Sequence, residues 1–135
     1  MSFFKSDFVQ QEMKDISDLQ DKIYETVFSF SSMDNADKLE HVELMEELLS
    51  KQKVLYTRLS LSDDPEAKAM RDNIIASARQ LGFPPDVDLG YVFSNMSNII
   101  ENMKKHIKHL CFYCLIGSTW KNEFLIFVFE FVSML

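Results

Sequence analysis

Toward the C-terminal end, Cys111-Phe112-Tyr113-Cys114 sets two thiols at the spacing of a redox pair, with His106 and His109 just ahead of them. Such a pair becomes reactive when its first thiol opens a helix inside a strand–helix–strand unit, where the local field favours thiolate. This motif follows a helical segment with no such unit before it, so inert apolar thiols are the expectation. His106, His109, Cys111 and Cys114 also form a candidate zinc set of two imidazoles and two thiolates. The histidine pair at i, i+3 shares a helix face, but a single residue separates His109 from Cys111, whereas structural zinc sites bracket a longer loop. The favoured reading is two capping histidines and two buried cysteines, with no metal and no cofactor. His41 stands between Glu40 and Glu43 on an acidic stretch and is expected to be solvated. No serine, cysteine or threonine can be assigned a base and an orienting acid. The chain has no Gly-rich phosphate loop, His-Glu-x-x-His or Gly-x-Ser-x-Gly pattern. The expectation is a non-enzymatic protein without catalytic residues.

The bulk properties agree. The chain has 135 residues, 47% hydrophobic and 26% charged, with three glycines and three prolines. That length suits one domain burying roughly two-thirds of its unfolded surface. Scarce Gly and Pro argue against a turn-rich β-sandwich or a disordered linker. Twenty-one Asp and Glu against 14 Lys and Arg give a formal net charge of −7, which opposes direct nucleic-acid binding. The charge is uneven. Residues 110–135 carry only Lys121, Glu123 and Glu130, yet hold both cysteines, the single tryptophan and seven of 17 aromatic residues. The chain thus divides into a polar helical domain, 1–109, and an apolar extension, 110–135. The N-terminus has no charged segment leading into a long apolar core, so no signal peptide is expected, and the expected location is the cytoplasm.

Four helices are expected in the body. Val9, Met13, Ile16, Ile23, Val27 and Phe30 recur at three, four or seven along the first, which opens at Ser6 or Asp7. Gln20 interrupts that seam and Leu19 fills the gap, while Asp15, Asp18, Asp21 and Glu25 take the solvent side. After the polar break at 31–35, Val42, Met45, Leu49, Gln52, Tyr56 and Leu59 define a second stripe, widened by Leu48 and Leu55. Ser62, Asp63 and Asp64 ahead of Pro65 mark a third helix with Ala67, Met70, Ile74 and Ala78 inward. Gly82 and Pro84-Pro85 end it. Asp86 and Asp88 open a fourth, carrying Leu89, Val92, Phe93, Met96, Ile99, Ile100, Met103 and Ile107. Its last turn holds the basic cluster Lys104, Lys105, His106, Lys108 and His109, which complements the helix dipole. The expected fold is all-α: an antiparallel helical hairpin with two shorter helices packed across it, plus an apolar C-terminal tail whose structure stays open. Most of the eight methionines serve as flexible core filling.

The tail is ambiguous between three placements: against the helical body, at a membrane interface, or on a partner. About thirteen Leu, Ile, Val and Phe residues contribute roughly −4 to −8 kcal/mol toward insertion, and Lys121 with Glu123 near its centre cost about 2.5 to 3.5 each. The sum is near zero. Phe124 to Phe129 reads as a strand or an aggregation-prone run.

Ser2-Phe3-Phe4-Lys5-Ser6-Asp7-Phe8-Val9-Gln10-Gln11-Glu12 resembles the start of small proteins shared by cyanobacteria and their phages, a family known only as a domain of unknown function. Met45-Glu46-Glu47-Leu48, the junction Leu59-Ser60-Leu61-Ser62-Asp63-Asp64, Phe93 to Met96 and Met103-Lys104 match further segments of that family. The resemblance spans about residues 1–107, and Lys53-Val54-Leu55-Tyr56-Thr57-Arg58 resembles its phage branch. It supplies no catalytic residues, and the tail departs from it.

These features together imply an acidic helical protein, encoded by a cyanophage, that presents an acidic face or its Phe3/Phe4 end to a host protein complex. Phe3, Phe4, Phe8, Tyr56 and Arg58 are the candidate partner-binding residues. Phe3 and Phe4 precede the first cap, where they fold back as a hydrophobic staple or stand out as an anchor. A homodimer is as compatible as a monomer. The alternative is a small membrane-associated protein held by the basic cluster 104–109 and the tail.

Overall fold

In the computed structural model, residues 2–80, 83, 84, 86 and 88–107 are described. They form four helices: α1 (Asp7–Val27), α2 (Asn35–Leu61), α3 (Pro65–Gln80) and α4 (Leu89–His106). Short 3-10 turns cover Phe3–Lys5 and Phe30–Ser32. No strand occurs among the described residues, so the fold is all-α.

The starts of α2 and α4 follow from short polar side chains, whereas Ser6 ahead of α1 makes no side-chain cap bond. The Asp34 carboxylate accepts from the backbone N–H of Asp37 at 2.8 Å and opens α2. Asp88 accepts from Gly90 N at 2.9 Å and opens α4. At the far end of α3, Phe83 N donates to Ala78 O, five residues back, at 3.1 Å. That is the spacing of a Schellman-type closure, although Gly82 itself lies outside the described residues.

At 27 residues α2 is the longest helix, and α1, α3 and α4 all pack on it. Its wide apolar stripe makes this possible, with Val42, Met45, Leu48, Leu49, Leu55 and Leu59 all buried. α1 runs antiparallel beside it: Lys51 meets Asp15 at 3.6 Å, and Arg58 meets Glu12 at 3.9 Å. α4 also runs antiparallel to α2. Phe93 packs on Tyr56 near one end, and Lys104 Nζ reaches Glu46 at 2.6 Å near the other. Lys104 therefore braces two helices besides lying in the last turn of its own. The Glu46 hydrogen bond holds its ammonium pKa above the ordinary value. In α3, Ala67 and Ala78 are sealed against the core, where small side chains let backbones approach closely. In α1, Leu19 is buried beside Gln20, which is buried too, so both share the seam.

His41 is not solvated; it is 4% exposed. Position 41 falls four residues before Met45 and seven before Leu48, which puts it on the inner face of α2. The side chain meets Thr26 of α1, whose Oγ1 lies 2.9 Å from His41 Nδ1 and also donates to the carbonyl of Lys22 at 3.2 Å. Phe30 tilts against the imidazole at 5.3 Å, and Lys38 sits over the other partner of that contact, 5.7 Å from the Phe30 ring. Burial lowers the imidazole pKa from its ordinary 6.5. The unfolded chain therefore binds this proton before the folded one does. The stability from His41 is present above about 6.5 and is lost as pH falls toward the folded value. Urea unfolding should show wild type weaker at about pH 5.5 than at about pH 7.5, and His41→Gln should flatten that difference. Equal slopes in the two proteins would refute the assignment.

Candidate functional site

The N-terminal residues meet the α2–α3 junction. Phe3–Lys5 forms one 3-10 turn whose rings, Phe3 and Phe4, stand edge-to-face at 5.1 Å and pack half-buried against the core. The fold-back arrangement therefore holds for these two. Asp64 organises the junction by serving two helices at once. One carboxylate oxygen accepts from the N–H of Glu66 at 3.0 Å, capping α3, while the other accepts from the N–H of Phe3. Ser2 Oγ adds a bond to Glu66 at 3.0 Å, and Gln10 Nε2 donates to Phe4 O at 3.3 Å.

The Phe3 and Glu66 N–H bonds, in that order, hold the Asp64 carboxyl below its ordinary pKa. Its contribution is present above the unfolded carboxyl value and lost as pH falls through the lower folded one. Asp64→Ala should lower the thermal midpoint at neutral pH and remove part of the acid-side loss below about pH 4. Asp64→Asn, which keeps an acceptor, should restore part of the midpoint. Unchanged melting in the alanine variant would show that neither bond matters.

Of the five candidate residues, the structure joins Phe8 to Arg58 and separates the rest by role. Phe8 is 51% exposed, and the Arg58 guanidinium covers its ring at 4.2 Å. Glu12, one turn beyond Phe8 on α1, pairs with Arg58 Nε. Tyr56 is half-buried, its ring 5.9 Å from Phe93, and so belongs to the α2–α4 contact. Sequence reasoning missed two neighbours. Val54 and Leu61, 43% and 80% exposed, lie four residues before and three after Arg58 and share its face of α2. The signal was available as apolar residues off the buried stripe at helical spacing. Phe8, Val54, Arg58 and Leu61 make a mixed apolar–cationic surface along α1 and α2. Such a surface can bury apolar area against another protein while the guanidinium fixes orientation.

The other candidates fall elsewhere. His109, Cys111 and Cys114 lie outside the described residues, as does the side chain of His106. Among the described residues no group of three or more His, Cys, Asp or Glu side chains is placed to hold a metal. Also among them, no helix is long and apolar enough to cross a membrane.

A four-helix, all-α domain with an exposed apolar–cationic surface is the class that these features define. Residues 1–107 match the family described as a domain of unknown function (DUF1825), and the chain belongs to that family. No curated protein and no solved structure matches it.

Proposed function

We propose that this chain is a non-enzymatic, acidic helical interaction protein, encoded by a cyanophage and binding a protein complex of its host in the cytoplasm. The observation that carries the reading is Phe8: a large aromatic ring left half in water, held in one pose by Arg58, beside exposed Val54 and Leu61. A ring fixed in place loses little freedom on docking, which suits an anchor. The surrounding net charge supports a partner with a basic rim and an encounter rate that falls with salt.

The test uses the tagged full chain and its Phe8→Ala variant as baits in cyanobacterial lysate, at low and raised salt. Wild type should retain one defined soluble complex, with less at raised salt, and the variant should lose it. Retention of membrane instead, equal for both baits, would favour attachment through the basic cluster and the apolar tail. Equal retention of the same soluble complex would move the surface away from Phe8.

A further inference from the structure

The outer face of α4 differs from those of α1 and α2 in charge. Opposite its buried side, which holds Leu89, Phe93 and Ile100, the residues Tyr91, Asn95, Asn98, Asn102 and Lys105 recur at spacings of four and three. All five are exposed, Tyr91 by 64%. Those spacings draw one straight seam, about 21 Å long at 1.5 Å per residue. From Leu89 to Met103 the helix carries a single charged side chain, Glu101. By comparison α1 carries eight and α2 nine, with carboxylates in the majority on both. The seam is also nearly symmetric about Asn98. An aromatic ring, Tyr91, lies seven residues before it and an ammonium, Lys105, seven after; Asn95 and Asn102 flank it at three and four.

We infer that this face of α4 receives a second copy of the chain, the two α4 helices crossing antiparallel on a two-fold axis near Asn98. A two-fold contact sets each residue against itself or its symmetry mate, so a surface of like charges repels its own copy. The net charge of −7 makes that repulsion general over the molecule, and the α4 seam largely avoids it. The antiparallel crossing brings the Tyr91 ring to the partner's Lys105, an ammonium over an aromatic face. Asn95 meets the partner's Asn102, and Asn98 meets its own copy. A primary amide both donates and accepts, so amides pair with one another. Glu101 comes within reach of the hydroxyl of the partner's Ser94, which can donate to it, and the opposed helix dipoles attract. A parallel crossing would instead set Lys105 and Glu101 each against its own copy. One helix pair makes a small interface, so the dissociation constant is on the order of 10 micromolar, and the chain is a monomer at the dilution of an unfolding titration. Both the face and the occupant differ from those of the Phe8 surface, and the contact stands whether or not that surface docks a partner.

Sedimentation equilibrium of the full chain under reducing conditions, from about 1 to 300 micromolar, is the test. Wild type should show a reversible monomer–dimer equilibrium. Asn98→Glu puts two like charges beside the axis and should weaken the dimer by about tenfold or more. Lys105→Glu should weaken it several-fold. Asn98→Lys alone should also weaken it, yet an equal mixture of the Asn98→Glu and Asn98→Lys chains should recover the dimer, because opposite charges then meet at the axis. The control Ser50→Glu, which adds the same charge on α2, and Phe8→Ala should each stay within about twofold of wild type. All these positions are exposed, and circular dichroism confirms that each variant keeps its helices. A monomer at every concentration, a dimer that Asn98→Glu leaves intact, or no recovery on mixing would overturn the inference. An equal loss in Ser50→Glu would reduce the effect to net charge, and a loss in Phe8→Ala would move the contact to the other surface; either overturns it as well.

Discussion

Replacing Phe93 with alanine is expected to lower the free energy of unfolding by about 3–5 kcal/mol, the usual range for emptying a buried phenylalanine site. Phe93 is completely buried and joins α4 to α2 through Tyr56, on the helix against which every other one packs. A domain of this size is stable by about 5–15 kcal/mol in total, so the variant forfeits a large share of it. The paired control is Tyr91→Ala, two residues earlier and 64% exposed, which should stay within about 0.5 kcal/mol of wild type. Urea titrations of the three proteins measure both. A Phe93→Ala loss no larger than the Tyr91→Ala one would mean that α4 is not seated on α2.

The second large effect concerns association. Phe8→Ala is expected to weaken binding of the host complex by about 30-fold or more, the equivalent of roughly 2 kcal/mol at an anchor position. Arg58→Lys should fall between wild type and Phe8→Ala. It keeps the charge toward Glu12 but loses the flat guanidinium that holds the ring. Neither change should cost much stability, because Phe8 is 51% exposed and lysine keeps a cation at the half-exposed position 58, facing Glu12. Surface plasmon resonance with the captured complex gives the affinities, and thermal melting checks the fold. A Phe8→Ala affinity within twofold of wild type would show that the ring is not an anchor.

The fold was legible wherever periodicity and punctuation agreed. Asp34 and Asp88 cap the helices they precede, and the stripe from Val42 to Leu59 is the buried face of α2. At His41 the adjacent Glu40 and Glu43 suggest water, whereas the spacing to Met45 and Leu48 puts the side chain inside, where it is found. Periodicity outweighed the company of adjacent residues, as helix geometry requires. The candidate surface was less legible. Phe3, Phe4 and Phe8 look alike as sequence, yet the first two fold onto the core and the third, just off the α1 stripe, points to water. The meeting of Phe8 with Arg58 brings together residues fifty positions apart. It depends on the register between α1 and α2, which no local pattern records.

The most direct test of the interaction reading is amide hydrogen exchange on the full chain, free and in its captured complex. Added protection should concentrate in residues 6–12 and 54–62, which carry Phe8, Val54, Arg58 and Leu61. A complex that protects other segments and leaves both of these unchanged would contradict the account.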